Sequence, residues 1–265
     1  MRCAVVGHAE WVEFARVAAM PGPGEIVHAD EVWEEPGGGG PVVASQLAKL
    51  AGGCDFFTAL GDDELGHALV GYLQRMGMDI HVQWTATSST RRAWVHVDRE
   101  GERTITVLGD KLLPDAPAAI EAYDLVFFVS GTIEALRAAR GAPFLAATLR
   151  ELPTLQAGDV PLDLLVGSAA DPGERYEGSL EARTVVLTES EAGGTANGVR
   201  YAATALPGPV SDSYGAGDSF GAALAFALAR GDELSSALGL AARAGAAVLT
   251  GRGPYTAQLT LTSEM

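Results

Sequence analysis

The sequence predicts a layered α/β protein built on a central, mostly parallel sheet. Short apolar runs alternate with helical stretches along the chain, which is the order expected of such a fold. With 265 residues and 48% hydrophobic content, the chain can fill one large core. We therefore expect a single domain over residues 1–265.

The predicted sheet strands are apolar runs without alternation, which is typical of strands buried on both faces. They lie at residues 2–6, 54–60, 124–129, 162–166 and 184–188. Helical periodicity or strong helix formers predict helices at 40–50, 64–76 and 220–230. Pro153, Pro161 and Pro172 are expected to mark loops.

The middle of the chain has a different pattern. Residues 92–97 and 104–108 alternate with a period of two, and the turn sequence DREG lies between them. This pattern predicts an antiparallel hairpin, with one face either in water or covering another part of the molecule.

Composition excludes several classes of function. The 34 acidic and 18 basic residues give a net charge of -16, which repels nucleic acid and anionic membranes. No run approaches the roughly 18 apolar residues of a membrane span, and the first apolar run is too short for a signal peptide, so a cytoplasmic location is expected. Cys3 and Cys54 lie in strand-like runs and are expected to be reduced core residues.

The most informative segment is residues 212–220, DSYGAGDSF, where a glycine-rich turn leads into an apolar helix. Backbone N–H groups of Gly215, Ala216 and Gly217 would form an anion hole at the helix start. Asp218 would then be placed to take a proton from a hydroxyl that attacks a phosphate. The structural alternative is that Asp218 merely caps a helix that follows a turn.

This segment resembles the signature of the ribokinase-like (PfkB) carbohydrate kinases, Asp-Thr-x-Gly-Ala-Gly-Asp-x-Phe, with Ser213 in the threonine position. Further resemblances follow in the family's order along nearly the whole chain. They are the glycine turn at 36–41, TALGDDELG at 58–66, GERTI at 101–105, VVLT at 185–188 with Gly193, and residues 241–253. The resemblance implies a three-layer fold with a small β lid, formed by segments near 10–35 and 84–110.

The resemblance also implies an ATP-dependent kinase that phosphorylates a hydroxyl of a sugar or sugar-like molecule. Asp218 would be the catalytic base, and Gly38 and Gly39 would contact the acceptor. The implied ATP-binding residues are Thr188, Ser190, Gly193 and Gly217. Magnesium would accompany the phosphates.

The sequence departs from the family where the sugar should bind. Val12 and Val42 stand where sugar kinases of this family carry an aspartate and an asparagine. Glu10 or Glu13 could serve in place of the aspartate, and His8, Trp11 and His96 could supply stacking or polar contacts, although such residues are more often structural. Of these, Glu10 and His96 are the acceptor-binding residues that we predict. An acceptor with fewer hydroxyls than ribose, or a nucleoside, would suit the loss of this clamp.

The metal motif of the family, Asn-x-x-Glu, has its best match at Ser168-Ala169-Ala170-Asp171. Asp171 and Ser168 are therefore the predicted Mg²⁺ residues, with a plain turn at Asp171-Pro172-Gly173 as the alternative. Asp212 is the implied ligand of a monovalent cation such as K⁺.

Two other functions remain open from the sequence. One is a nucleoside kinase, and the other is a non-catalytic descendant that only binds nucleotide or sugar. An unpaired strand edge on the lid would also favour a homodimer.

Overall fold

The computed structural model describes residues 1–260, in which thirteen strands and six α-helices alternate. The strands are β1 (Cys3–Val6), β2 (Glu10–Val17), β3 (Ala29–Gly37), β4 (Cys54–Gly61), β5 (Met78–Thr85), β6 (Arg92–Val97), β7 (Arg103–Leu108), β8 (Leu125–Phe128), β9 (Phe144–Thr148), β10 (Leu162–Ser168), β11 (Ala182–Thr188), β12 (Gly194–Ala196) and β13 (Val199–Tyr201). The helices are α1 (Gly39–Ala51), α2 (Glu64–Arg75), α3 (Ile133–Ala139), α4 (Leu152–Gly158), α5 (Ala216–Ala229) and α6 (Leu234–Val248).

The central sheet has nine strands in the order β13-β12-β11-β10-β9-β8-β1-β4-β5. Every neighbouring pair from β11 to β5 is parallel, and only β12 and β13 run antiparallel. Helices α1, α2, α5 and α6 pack on one face, and α3 and α4 pack on the other. The predicted three-layer α/β fold is confirmed.

A second sheet has four strands in the order β3-β2-β6-β7, and we call it the lid sheet. The predicted hairpin is confirmed, because β6 and β7 pair antiparallel with Val95 opposite Ile105. Strand β2 pairs parallel with β6 and antiparallel with β3. The lid sheet leaves the central sheet just after β1, at the edge where parallel strands end and active sites form in such folds.

Six strands were not predicted individually, namely β2, β3, β5, β9, β12 and β13. Strand β2, with sequence EWVEFARV, alternates buried and half-buried residues, so its period of two was a usable signal. Strand β5, with sequence MDIHVQWT, also alternates over its eight residues. Strand β3 is rich in acids, β9 has only five residues, and β12 and β13 have three each.

The prediction that Pro153 marks a loop is wrong. It lies in the first turn of α4, where a proline is tolerated because no intrahelical N–H bond is lost.

An apolar cluster joins the lid sheet to the central domain. Phe14 stacks on Trp33 with ring centroids 4.8 Å apart and meets the edge of Tyr214 at 5.2 Å. The other members are Val12, Val42, Ala93, Val95, Val97 and Tyr255. Because this cluster is buried, the lid sheet is packed down on the loop that leads into α5.

Polar contacts hold the lid to the same loop. The Arg16 guanidinium donates from Nη1 to the carbonyl of Ser211 at 2.9 Å, and the Ser213 N–H donates to the carbonyl of Gly101 at 2.9 Å. The turn of the predicted hairpin therefore contacts the glycine-rich signature directly.

The structure also bears on two sequence expectations, the state of the cysteines and the search for a membrane-spanning helix. Cys3 and Cys54 are buried and free, as expected, and burial raises the pKa of the Cys3 thiol to about 12. Within residues 1–260, none of the helices combines the length and apolarity needed to cross a bilayer.

Candidate active site

The glycine-rich signature forms the start of α5. Gly215 caps the helix in the left-handed region, with φ of 83°, and α5 begins at Ala216, earlier than the sequence predicted. The N–H groups of the first turn have no acceptor within their own helix. A Cβ on Gly217 would meet no other atom within 4 Å, so the space in front of this turn is open. The arrangement suits an anion.

Asp218 lies in the first turn of α5 and is partly buried. The pKa of its carboxyl is raised to about 6, mainly by burial and to a smaller extent by the negative charge of Glu174. The guanidinium groups of Arg103 and Arg150 lower the pKa, with Arg103 having the larger effect. A carboxylate with a pKa near neutrality is suited to accept a proton and release it again.

A second glycine turn meets Asp218 at the start of α1. A Cβ on Gly39 would lie 3.0 Å from Oδ1 of Asp218 and 2.9 Å from Cγ1 of Val129, so only glycine allows this approach. Gly38 has φ of 83°, and its N–H donates to the Tyr214 hydroxyl at 2.8 Å. The structure therefore brings Gly38, Gly39 and Asp218 together.

His8 lies against the Gly38 turn. A Cβ on Gly38 would come within 3.1 Å of its Nε2. The Ser130 hydroxyl accepts from the His8 backbone N–H at 2.8 Å and lies 2.9 Å from Nδ1. Burial lowers the pKa of His8 to about 3, aided by Lys111 and Arg91, so the ring is neutral. We assign the Ser130 hydroxyl as donor to Nδ1. The single N–H of the neutral ring is then on Nε2, which faces the Gly38 turn.

Glu10 begins β2 and is buried, with only 5% of its surface exposed. Its Oε2 lies 3.0 Å from Nε of Arg91. Burial raises the pKa of Glu10, and Arg91 and Lys111 oppose that shift. Glu10 therefore lies beside His8 in a wall of charged and polar groups. Sequence reasoning missed Ser130, Arg91 and Lys111, although Ser130 closely follows the carboxyl end of β8.

His96 lies elsewhere. It faces the same side of the lid sheet as Trp94, which is 46% exposed, and the opposite side from Val95 and Val97. Those two valines pack toward the central domain. The structure does not bring His96 to Asp218.

Val12 and Val42 fill the lid cluster rather than an open pocket. Both are fully buried, and Cγ1 of Val42 would lie 3.0 Å from a Cβ on Gly215. Both valines therefore support apolar packing beneath the lid. Acceptor binding by Glu10, Gly38 and Gly39 stays a prediction.

We expect Val42→Asn to lower the free energy of unfolding by about 1–3 kcal/mol, because an amide would be buried among apolar groups. Urea unfolding followed by tryptophan fluorescence measures the change. Val199→Asn is the matched control, since Val199 is 71% exposed and should tolerate the same amide. Equal stability of the Val42 variant and the control would show that the cluster accommodates a polar group.

Three of the four residues predicted to bind ATP lie in a tight loop at the end of β11, namely Thr188, Ser190 and Gly193. The Thr188 hydroxyl donates to the carbonyl of Gly167 at 3.3 Å, and the Gly193 N–H donates to the carbonyl of Ser190 at 3.2 Å. Gly193 has φ of 85°, and a Cβ there would lie 2.2 Å from the carbonyl oxygen of Tyr201. This loop lies at the same edge of the sheet as the start of α5.

A cavity of about 790 Å³ lies between the β12–β13 hairpin and α6. Tyr201, Gly239, Ala242 and Arg243 are among its lining residues, whereas Thr188, Ser190, Gly193 and Gly217 are not. In α6, a Cβ on Gly245 would lie 3.2 Å from the carbonyl oxygen of Ala216. The cavity-lining residues Ala242 and Arg243 therefore lie within one helical turn of Gly245, the residue of α6 that contacts the start of α5.

The residues predicted to bind magnesium have other partners. Asp171 accepts from the Gly173 N–H at 2.8 Å through Oδ1 and pairs with Arg150 through Oδ2. The Ser168 N–H donates to Oε2 of Glu174 at 2.7 Å, and Oε1 of Glu174 lies 3.0 Å from Nη2 of Arg150. The Asp171 carboxylate is therefore already paired, whereas Ser168 uses its backbone N–H and not its hydroxyl; Mg²⁺ binding by these two residues stays a prediction. Across residues 1–260, no three His, Cys, Asp or Glu side chains cluster with the geometry to hold a metal.

Sequence reasoning missed Arg150 and Glu174. Arg150 follows β9 by two residues, at the edge where the signature lies, and the missed strand concealed it. Glu174 lies six residues after Ser168, beyond the spacing of the expected motif.

Asp212 organises the loop before α5. It is buried, and its two oxygens accept from the N–H groups of Tyr214 at 2.9 Å and Gly253 at 3.0 Å. Burial raises the pKa of its carboxyl, and the two backbone donors lower it. Monovalent cation binding at Asp212 stays a prediction.

The chain shares its fold with solved kinases of one architecture. It superposes on the ribokinase of Thermotoga maritima with a TM-score of 0.77 and 20% identity, covering 98% of this chain and 96% of that one. The ribokinase of Cryptococcus neoformans var. grubii serotype A, solved in complex with ADP, gives a TM-score of 0.75 and 20% identity over 98% and 97% of the two chains. The class of protein that this fold defines is therefore ribokinase-like.

The sequence profile of the "pfkB family carbohydrate kinase" matches residues 1–149 and 162–261. The chain belongs to the pfkB family of carbohydrate kinases, a family of phosphotransferases. It is also 30% identical over 122 residues to the bifunctional ribokinase/ribose-5-phosphate isomerase A of Fructilactobacillus sanfranciscensis. That match spans 45% of this chain and 22% of the relative's length.

Proposed function

We propose that this protein transfers the terminal phosphate of ATP to a hydroxyl group of a sugar or sugar-like molecule. The observation that carries the proposal is the meeting of Asp218 with two glycine turns, one at the start of α5 and one at the start of α1. One turn offers an anion site, and the other leaves room for an acceptor beside a base.

The proposed reaction begins with the acceptor hydroxyl near Gly38, Gly39 and Glu10. Its proton passes to a carboxylate oxygen of Asp218 while its oxygen forms a bond to the terminal phosphorus of ATP. The bond from that phosphorus to the bridging oxygen breaks, and ADP leaves with the electron pair. The N–H groups at Gly215, Ala216 and Gly217 stabilise the charge on the transferred group.

ATP would enter with its phosphates at the start of α5 and its adenosine toward the cavity beside α6. The loop from Thr188 to Gly193, with Gly217, would contact the phosphate chain. Magnesium enters this proposal as the counter-ion of ATP, because the Asp171 carboxylate already pairs with Arg150 and accepts from the Gly173 N–H. We further propose that K⁺, if it is required, acts near Asp212.

A nucleoside is the second candidate for the acceptor. Ile105 and Val107 face the same side of the lid sheet as the buried Val95 and are 41% and 43% exposed. Exposed apolar side chains on that face suit an acceptor with a flat or weakly hydroxylated part. This observation favours a nucleoside over a fully hydroxylated sugar.

The test is ADP release with Mg-ATP and potassium across pentoses, hexoses, polyols and nucleosides. Acceptor-dependent turnover would establish the kinase and identify its acceptor class. ATP binding without turnover on any acceptor would instead support the non-catalytic binding function.

We also propose that the protein acts in the cytoplasm, where ATP is available and the free thiols of Cys3 and Cys54 would stay reduced.

A homodimer through the lid is a further proposal. Trp94 and Val32 share the outer lid face and are 46% and 67% exposed. Light scattering would distinguish a dimer from a monomer.

A further inference from the structure

Arg150, Asp171 and Glu174 form a charged cluster that the proposed reaction does not yet use. The Arg150 guanidinium pairs with Asp171 and lies 3.0 Å from Glu174. Arg150 lies at the carboxyl edge of the central sheet, two residues after β9, and Ser168 ends β10 next to it. The cluster therefore occupies the region in which the sequence placed a metal.

We propose that Arg150 binds the terminal phosphate of ATP and that Asp171 and Glu174 position its guanidinium for that contact. This inference rests on the proposed kinase function. It assigns to an arginine of this chain the positive charge that the sequence analysis had assigned to a metal held by Asp171.

The two acids hold one side of the guanidinium. Their contacts within residues 1–260 are made by Nη2, and 51% of the Arg150 side chain remains exposed. The remaining N–H groups are free to bind an anion. A guanidinium with a fixed plane can donate two parallel hydrogen bonds to a phosphate, which a lysine cannot do.

The acids are themselves held by backbone N–H groups. Gly173 donates to Asp171, and Ser168 donates to Glu174. A Cβ on Gly173 would lie 3.0 Å from Nη1 of Arg150, so the turn also leaves room for the guanidinium. This support reduces the rotamer freedom that a long side chain would otherwise lose on binding phosphate.

Arg150 also interacts electrostatically with Asp218, the proposed base. Its positive charge lowers the pKa of Asp218, and the Asp218 charge raises the pKa of Arg150. A phosphate bound to the N–H groups at the start of α5 would lie near Asp218, because Asp218 belongs to the same first turn. Arg150 and Asp218 therefore lie close enough for their charges to interact, and Arg150 offsets part of the field from a chain with net charge -16.

The experiment compares ATP and ADP affinity by calorimetry, which requires no acceptor. The variants are Arg150→Ala, Arg150→Lys, Asp171→Asn and Glu174→Gln, each with Mg²⁺ present. We expect Arg150→Ala to weaken ATP binding by about tenfold or more and ADP binding by less than about threefold, since only ATP has the terminal phosphate. Arg150→Lys should lose part of this preference, because it keeps the charge without the fork.

Asp171→Asn and Glu174→Gln test the positioning role. Each should reduce the ATP-to-ADP preference by about threefold while leaving ADP affinity unchanged, a pattern that general destabilisation would not produce. Arg140→Ala is the control, because Arg140 pairs with Asp163 near the amino end of β10, at the other edge of the sheet. Thermal melts identify any variant that fails to fold.

Two results would overturn the inference, and they can be told apart. If the native protein prefers ATP and Arg150→Ala and Arg150→Lys keep that preference, Arg150 does not bind the terminal phosphate although the kinase proposal stands. If the native protein binds neither nucleotide, the kinase proposal fails and this inference fails with it.

Discussion

Asp218→Asn is expected to lower acceptor-dependent turnover by about 10²- to 10⁴-fold, the usual contribution of a general base. Asparagine keeps the size and the position of the side chain in the first turn of α5 but cannot take the hydroxyl proton. The measurement is ADP release at saturating ATP with the best acceptor. Nucleotide affinity should change little, because the anion hole is built from backbone N–H groups.

The same substitution should not destabilise the protein. The folded-state pKa of Asp218, about 6, lies above its ordinary value of 3.8. The native state therefore binds the proton more tightly than the unfolded chain does. Stability that is present below pH 3.8 is lost as the pH rises through about 6, so the ionised carboxylate weakens the fold at pH 7. Removing it should raise the free energy of unfolding at that pH by about 1–2 kcal/mol.

Asp232→Asn is the matched control for both measurements. Asp232 follows the other end of α5 and pairs with Arg230, which lowers the pKa of its carboxyl. Its loss should leave turnover unchanged. If Asp218→Asn kept turnover within about threefold of native, the proton acceptor would be another group and the proposed reaction would need a different base.

The pH dependence of kcat/KM gives the second large effect. We expect an acid limb with an apparent pKa of about 6, because only the ionised form of Asp218 accepts the hydroxyl proton. Below that value the rate should fall about tenfold for each pH unit, to roughly one hundredth of the plateau at pH 4. Initial rates measured from pH 4 to pH 9 would trace the limb.

Arg103→Gln is a control for this experiment, because the direction in which it should shift the acid limb is predicted. The Arg103 guanidinium lowers the pKa of Asp218 more than Arg150 does, so its loss should move the acid limb to higher pH. Circular dichroism at each pH separates titration of the base from unfolding. A limb that stayed near pH 4, or that did not move in the Arg103 variant, would assign the profile to a different group.

Much of the architecture could be predicted because its signals are local. The β6–β7 hairpin was predicted from alternation with a period of two and one turn sequence, and the two strands pair antiparallel as predicted. The α5 helix and the position of Asp218 followed from glycines that only a tight turn requires, together with the helix formers after them. The acidic strand β3 and the short strand β9 lacked such signals, so they were missed.

The surroundings of the site could not be predicted in the same way. His8 meets Ser130 across 122 residues, and Glu10 meets Arg91, which comes from another distant segment. These contacts depend on which strands lie side by side, and β1 lies between β8 and β4 although neither adjoins it in sequence. Strand order is set by the packing of whole layers, which no window of sequence contains.

The sequence by itself therefore determined the fold class, the family resemblance and the base at the start of α5, because glycine conformation, periodicity and capping act within a few residues. Tertiary structure alone decided that Val12 and Val42 pack under the lid, that His96 faces away from the base, and that Arg150 pairs with the Asp171 carboxylate that was predicted to hold a metal. Those outcomes depend on burial and charge pairing between distant segments, whose free energies exist only after the layers have assembled.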